Sequence, residues 1–198
     1  MVPVDSTPGR RTPASQVRSS LVTAGRKILE TKGPSGLTVR AVASAAGVAP
    51  MGVYNHFDGK DGLLDAVVTD GFAEFGRAIA AADSDPTERL LASGRAYRAF
   101  ALANPTLYSL MFGGMCRPDD ATASGAFLAL IEVVQYGQVG GIIRDDDPAA
   151  LAMQIWSCVH GATSLELSSP MPPGADMDAN YESVIALIAR GVAPAEGT

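Results

Sequence analysis

Apolar residues recur along the 198-residue chain at the spacing of α-helices, and no segment alternates polar and apolar residues as strands do. One stripe near the N-terminus, which Gly33-Pro34 should end, comprises Val17, Leu21, Ala24 and Ile28. Another near the C-terminus comprises Tyr181, Val184, Ile185, Ile188 and Val192. Residues 149–165 are apolar on nearly every side of a helix, which predicts burial on more than one face.

Start and stop signals divide these stripes into separate helices. Thr38 can cap a short helix at 39–46, and Gly47 can supply the turn that follows. Pro50 suits the first position of a third helix, which continues to residue 57. A side chain able to cap a helix stands directly before a proline at Asp85-Pro86, Asn104-Pro105 and Asp147-Pro148. These signals predict an all-α protein of about nine helices, the later ones near 60–82, 86–103, 105–113, 120–140, 148–167 and 178–193.

The charged residues are distributed unevenly. Residues 1–60 contain eight Lys or Arg and three acidic residues, whereas the remainder contains seven basic and 18 acidic residues, and the formal net charge is -6. This asymmetry predicts a basic module that meets an anion, although a solvated basic face is the alternative. We expect a disordered basic tail at 1–14, a helix-turn-helix domain at 15–60, a connecting helix at 60–82 and a second helical domain at 83–198.

Three short helices with a glycine turn between the second and third outline a helix-turn-helix. A projection of the third helix at about 100° per residue places Val53 at the centre of the buried face, with Pro50 and Phe57 beside it. The residues that then point outward are Met51, Gly52 and Asn55, and those on the flanks are Tyr54 and His56. An outward Asn can form two hydrogen bonds with an adenine edge, a Met can touch a thymine methyl, and a Gly lets the backbone approach closely.

The flanks of this helix suit contacts with phosphate. Tyr54 and His56 stand at the rim, where side chains position a protein on the duplex without reading bases. Thr38, Arg40 and Lys60 stand at the beginnings of neighbouring helices, where helix N-termini and cations both favour phosphate. Each of these residues alone could merely be packed or solvated, but their combination in and around one short helix favours nucleic acid.

The sequence contains no pattern typical of an enzyme or a metal site. The two histidines, His56 and His160, form no Glu-x-x-His pair, and no nucleophile elbow or glycine-rich phosphate loop occurs. Cys116 and Cys158 lie far apart, and we expect both to be buried in a reducing cytoplasm. The N-terminal residues do not resemble a secretory signal, and residues 149–165 are too short and polar for a good membrane span. We therefore expect no catalysis, no cofactor, no metal and no membrane partner.

Residues 36–64, with the sequence GLTVRAVASAAGVAPMGVYNHFDGKDGLL, resemble the DNA-binding segment of the tetracycline-repressor (TetR) family of bacterial one-component regulators. The resemblance covers about residues 15–75, and its Tyr-x-His-Phe-x-x-Lys element is specific. Residues 102–113 and the Trp156-x-x-x-His160-Gly161 motif resemble the Trp-His-Gly subgroup of C-terminal domains, over a shorter stretch. The resemblance implies an N-terminal helix-turn-helix domain and a helical ligand domain that dimerises through its last two long helices.

By position, the resemblance implies that DNA is contacted by Val39, Arg40, Pro50, Met51, Gly52, Tyr54, Asn55, His56 and Lys60. Two places depart from the family's pattern. Ala49 stands where such proteins often have a capping Ser or Thr, and the loss of that cap costs the helix roughly 1 kcal/mol. Met51-Gly52 replaces a commoner polar pair, so the base preference of better-known relatives does not transfer.

The acidic domain should hold the signal that the protein senses. A helical bundle could enclose an apolar pocket in which His160 or Tyr97 orients a ligand, although an ordinary core is the alternative. The large side chains that would line it are Phe72, Phe75, Tyr97, Phe100, Tyr108, Met111, Phe112, Trp156 and His160. The helix at 60–82 would link this pocket to the DNA-binding unit, and its Gly62, Gly71 and Gly76 should weaken it.

The resulting hypothesis is a cytoplasmic repressor that a small apolar or aromatic effector releases from a palindromic operator. We expect a homodimer through the helices at 148–167 and 178–193, with Ile185 and Ile188 in the interface, but a monomeric core explains the same pattern equally well. The alternative function is a helical ligand-binding or scaffold dimer that does not bind an operator.

Overall fold

The computed structural model describes residues 13–168 and 172–195, so nearly all of the predicted tail at 1–14 lies outside the described residues. The described part of the chain forms nine α-helices and contains no strand, which confirms the predicted all-α class. The helices are α1 (Ala14–Gly36), α2 (Val39–Ala45), α3 (Met51–His56), α4 (Gly59–Ile79), α5 (Pro86–Ala103), α6 (Pro105–Phe112), α7 (Asp120–Val139), α8 (Pro148–Ser168) and α9 (Met177–Val192). None of these described helices is long and apolar enough to cross a membrane.

The chain divides into two compact units. Described residues up to Val67 form the first and those from Val68 onward form the second, so the boundary falls inside α4. In the first unit, α1, α2 and α3 all pack against one another. Its largest fully buried side chains are Leu21, Leu29, Leu37, Val42, Val53, Leu63 and Val67.

Two glycines shape the first unit because their backbones adopt a positive φ that other residues rarely take. Gly33, at φ +67°, interrupts the helical geometry of α1, and one further turn then continues to Gly36 instead of stopping at Gly33-Pro34. Gly47, at φ +69°, makes the turn between α2 and α3. This turn lets the two short helices cross while both bury an apolar residue.

The capping predictions are confirmed at three of four places. The side chains of Thr38, Asp85 and Asp147 each accept hydrogen bonds from backbone N–H groups in the first turn of the next helix. Asn104 was expected to do the same for α6, and that prediction is wrong. Its buried side chain donates from Nδ2 to the carbonyl oxygen of Phe100, 2.9 Å away, so the amide satisfies the end of α5 instead.

Pro50 is also placed differently from the prediction. It stands one residue before α3 rather than in it, and it is exposed instead of lying beside the buried Val53. No side chain caps α3, as the alanine at position 49 leads one to expect.

In the second unit, α5, α7, α8 and α9 pack around a common core, and α6 packs on α5. Arg98 of α5 donates two hydrogen bonds to Glu166 of α8, at 2.6 and 2.7 Å, and its guanidinium lies 2.7 Å from a carboxylate oxygen of Asp178 in α9. Ile185 and Ile188 are almost fully buried within the unit itself, and their place in an interface stays a prediction. An added Cβ on Gly94 would lie only 3.0 Å from Cγ2 of Ile185, which shows how closely α9 approaches α5.

No described residue covers the outer face of α8. Cys158 is exposed and Cys116 is partly exposed, so the expectation that both are buried is wrong. On the same helix, Met153 and Leu165 keep 46% and 57% of their surface exposed. The prediction failed for Cys158 because an apolar helix can bury one side within its own unit and leave another apolar side open, and it failed for Cys116 because that residue lies in the connection between α6 and α7.

Candidate functional site

The exposed face of α3, which comprises Met51, Tyr54 and Asn55, is the most distinctive surface of the first unit. Met51 and Tyr54 keep 64% and 59% of their surface exposed, and Asn55 is exposed too. Val53 is fully buried on the opposite side and fixes the rotation of the helix. Gly52 is half-buried, and an added Cβ there would lie 3.4 Å from Cγ2 of Val48.

The helices before and after α3 in the sequence each carry an exposed cation. Arg40 in α2 and Lys60 in the first turn of α4 are exposed, and neither forms an ion pair with any residue that the structure describes. Arg18 differs, because its guanidinium lies 5.2 Å from the centre of the Phe57 ring. Arg40 and Lys60 therefore leave positive charge available to an anionic partner.

The remaining predicted contacts are less available. Val39 and His56 are half-buried, and the His56 ring lies 6.3 Å from the ring of Phe57. Thr38 is exposed, but its hydroxyl oxygen already accepts the N–H of Ala41 at 3.1 Å. Thr38 therefore fixes the beginning of α2, which positions Arg40.

The second unit encloses a cavity of about 260 Å³ among α4, α5, α6, α7 and α8. Four of the nine predicted pocket residues line it, namely Phe72, Tyr97, Phe112 and Trp156. The other five, Phe75, Phe100, Tyr108, Met111 and His160, do not line it and belong to the surrounding packing. Phe75, for example, meets Tyr97 edge-to-face with ring centres 5.0 Å apart. Four of the predicted residues therefore line a cavity and five pack around it, and the binding of a ligand by any of them stays a prediction.

Sequence reasoning missed the wall that α7 contributes. Its residues are Ala123, Ser124, Ala126, Phe127 and Leu130. Positions 123, 126, 127 and 130 share one helical face, so the spacing was visible in the sequence. Only the packing of α7 against its neighbours shows that this face meets a cavity. Phe127 adds an aromatic contact there, with its ring centre 6.0 Å from that of Trp156.

Two of the residues that line the cavity, Tyr97 and Trp156, belong to a hydrogen-bonded group of four side chains. The Tyr97 hydroxyl oxygen lies 3.1 Å from the Tyr108 hydroxyl oxygen and 2.8 Å from Nδ1 of His160, and Nδ1 lies 2.9 Å from the Tyr108 oxygen. Nε1 of Trp156 donates to the Tyr97 oxygen at 3.2 Å. We call Tyr97, Tyr108, Trp156 and His160 the polar cluster.

Burial sets the protonation of the polar cluster. It raises the pKa of the Tyr97 and Tyr108 hydroxyls and lowers the pKa of the His160 imidazole. The cluster is therefore uncharged at neutral pH. Among the described residues, no group of His, Cys, Asp and Glu side chains could hold a metal ion.

Two family models match the chain. Residues 21–67 match the model described as bacterial regulatory proteins of the tetR family, and residues 90–188 match the model described as the tetracyclin repressor-like C-terminal domain. The second model alone covers half of the chain. The Trp-His-Gly subgroup stays a prediction.

Individual proteins agree with these models. The chain is 26% identical over 223 aligned residues to the HTH-type transcriptional regulator Rv1816 of Mycobacterium tuberculosis, covering 91% of this chain and 95% of that protein. A solved structure of a protein of unknown function from Rhodococcus sp. RHA1 has a TM-score of 0.78 at 27% identity and covers 95% of this chain and 100% of its own. RolR, solved in complex with resorcinol, has a TM-score of 0.66 at 20% identity, covers 90% and 88%, and is similar in fold alone.

Proposed function

Because the chain belongs to the TetR family of bacterial regulatory proteins, we propose that it is a repressor that leaves a palindromic operator when a small apolar or aromatic effector binds. Family membership makes it a transcriptional regulator with a DNA-binding domain. The operator, the effector and the direction of regulation are parts of the proposal. Such a regulator acts on the chromosome, and on that ground we place it in the cytoplasm.

The observation that carries the proposal is the exposed face of α3, held outward by the buried Val53. The Asn55 amide can bond to the edge of an adenine, Met51 can touch a thymine methyl, and Gly52 allows the backbone to approach. In this proposal, the residues that contact the sugar-phosphate backbone are Thr38, Val39, Arg40, Pro50, Tyr54, His56 and Lys60. Arg40 and Lys60, which form no ion pair with a described residue, would contribute to the salt-dependent affinity.

The cavity of the second unit supports the effector half of the proposal. Its volume of about 260 Å³ lies just below the range of about 300–1,000 Å³ that is usual for drug-sized ligands. A molecule built around one ring fits a cavity of this size. RolR, a protein of similar fold, was solved with the single-ring compound resorcinol, which is consistent with an effector of this kind.

An apolar groove between α8 and α9 supports a homodimer. Cys158, Val184 and Leu187 line it, and Leu187 keeps 61% of its surface exposed. Apolar surface of this kind is typical of an interface, and a two-fold axis presents the same patch on both subunits. The dimer would set two α3 helices about 34–36 Å apart in successive major grooves, which requires a palindromic site.

Helix α4 provides the proposed link between effector and operator. It contributes residues to both units, and Phe72 near its middle lines the cavity. An effector can release the operator only if it binds the DNA-competent and DNA-incompetent dimers with different affinity. We expect it to lower operator affinity by about 1–3 kcal/mol, and linkage requires the operator to weaken effector binding by the same factor.

Fluorescence anisotropy tests this proposal against the alternative of a scaffold dimer that does not bind an operator. The full-length protein is titrated into a labelled duplex from the region upstream of its own gene and into a shuffled duplex of equal composition. A specific regulator should bind its site on the order of 10³-fold more tightly or better at physiological salt. Equal affinity for both duplexes, confirmed on upstream regions of the neighbouring genes, would favour the scaffold.

A further inference from the structure

The two members of the polar cluster that line the cavity, Tyr97 and Trp156, have no hydrogen-bonding capacity left for a ligand. A phenol hydroxyl offers one hydrogen and two lone pairs. The Tyr97 hydroxyl has three neighbours at hydrogen-bond distance, which are Trp156 Nε1, His160 Nδ1 and the Tyr108 oxygen. The single N–H of Trp156 is used in the same way. Tyr97 and Trp156 therefore present only their rings to the cavity, and Tyr108 and His160 do not line it.

Among the described residues of the cavity wall, Ser124 is the other side chain that carries a polar atom. It lies on α7 and is exposed, so it stands where the cavity opens to solvent. Its hydroxyl forms no hydrogen bond with any residue that the structure describes. One wall position therefore offers a free donor and acceptor, and the rest of the lining is hydrocarbon or aromatic.

The electrostatics of the cavity exclude charged ligands. No Lys, Arg, Asp, Glu or His side chain is among the described residues that line it. Among the apolar wall residues, a carboxylate or ammonium group would lose its hydration without gaining a charged partner. The first carboxylates along α7 are Asp119 before the helix and Asp120 in its first turn, and both are exposed. Asp119 also stays ionised, because hydrogen bonds from Thr122 lower its pKa.

From these observations we propose that the effector is an uncharged single-ring molecule with one hydrogen-bonding substituent, and that this substituent meets the Ser124 hydroxyl. The inference rests on the proposed function, since it concerns the ligand of the same cavity. Recognition then has two separable parts. The apolar body contacts Phe72, Phe112 and Phe127, and the substituent contacts Ser124 at the opening.

The chain carries its own reporter for the test, because Trp156 is its one tryptophan and lines the cavity. We would titrate full-length protein, without DNA, with toluene, p-cresol and 4-methylbenzoate, and follow tryptophan fluorescence excited at the red edge of its absorption. The three probes share a ring and a methyl group and differ in the second substituent. Ser124→Ala should weaken p-cresol about two- to tenfold, the usual value of one hydrogen bond, and leave toluene unchanged.

Ser109→Ala is the matched control, because Ser109 is an exposed helical serine outside the cavity wall. Ser109→Ala should change the affinity for none of the three probes. Wild-type protein should bind 4-methylbenzoate at least tenfold more weakly than p-cresol. The proposal is overturned if Ser124→Ala leaves p-cresol unaffected, if the carboxylate binds as tightly as the phenol, or if neither neutral probe binds. Since no DNA is present, each of these outcomes is independent of whether the protein recognises an operator.

Discussion

At the scale of single residues, substitution of Lys60 tests whether this side chain contacts DNA phosphate or recognises the base sequence. Lys60 is an exposed cation without an ion-pair partner among the described residues, so a phosphate can take the place of its counterions. Lys60→Ala should weaken specific and shuffled duplexes by the same factor and reduce the slope of log K against log salt by about one charge. Anisotropy titrations across a salt series measure both quantities. Arg190→Ala, which removes an exposed cation from α9, should alter neither, and a sequence-dependent loss in Lys60→Ala would contradict the assignment.

His160 makes a prediction about pH. Burial lowers the pKa of its imidazole in the folded protein below the ordinary value of 6.5, so the unfolded chain takes up the proton first as the pH falls. The stability that this group contributes is complete above pH 6.5 and is lost as the pH falls towards the folded pKa. Urea unfolding on both sides of pH 6.5 should show this loss in wild type and a smaller one in His160→Gln. His56→Gln is the matched control, and identical pH profiles for wild type and His160→Gln would refute the prediction.

At the scale of elements, two glycines of α4 have a packing role that the sequence did not show. The expectation was that Gly62, Gly71 and Gly76 weaken this helix, yet α4 is continuous from Gly59 to Ile79. An added Cβ at Gly71 would lie 3.0 Å from Cδ2 of Leu107, and one at Gly76 would lie 3.2 Å from Cα of Ala126. These positions lack a side chain because α6 and α7 approach closely there.

Two glycines of α7 give a matched prediction of stability. A Cβ at Gly125 would meet nothing within 4 Å, so Gly125→Ala should raise the free energy of unfolding by up to about 1 kcal/mol through helix propensity. A Cβ at Gly137 would lie 2.5 Å from Cδ1 of Ile143, which is buried. Gly137→Ala should therefore lower the free energy of unfolding by about 1–3 kcal/mol through overpacking. Urea denaturation measures both changes. Equal effects of the two substitutions would show that the packing around α7 is incorrect.

The successes and failures of sequence reasoning follow from how local each signal is. The caps at Thr38 and Asp85 act within one turn, so the residues themselves predicted them. Asn104 failed because its amide is buried and serves the helix before it, which only tertiary packing decides. Some of the predicted aromatic residues line the cavity and others do not, and this too depends on tertiary packing, because the position of α7 determines which rings face open space. The orientation of α3 was predictable, because one buried valine fixes it.

At the scale of the whole molecule, substitutions at two neighbouring residues of α9 distinguish an effect on folding from an effect on dimerisation. Both Leu187 and Ile188 border the groove between α8 and α9, but Leu187 is 61% exposed whereas Ile188 is only 8% exposed. Leu187→Glu should give a folded monomer, because it places a charge in the proposed interface only. Ile188→Glu should prevent folding, because the charge enters the core. Light scattering and circular dichroism distinguish these outcomes, and a dimeric Leu187→Glu would contradict the α8–α9 interface.

The central claim is that the exposed face of α3 reads the sequence of an operator, and selection from randomised duplexes tests it most directly. Wild type should enrich a palindrome whose half-sites are about one helical turn apart. Asn55→Ala should lose the preference for one base pair in each half-site, at a cost of about 1–3 kcal/mol on the wild-type site. Asn180→Ala, the same change at an exposed position of α9, should enrich the wild-type site. If wild type enriched no sequence, or if Asn55→Ala enriched the same sequence as wild type, the claim would be contradicted.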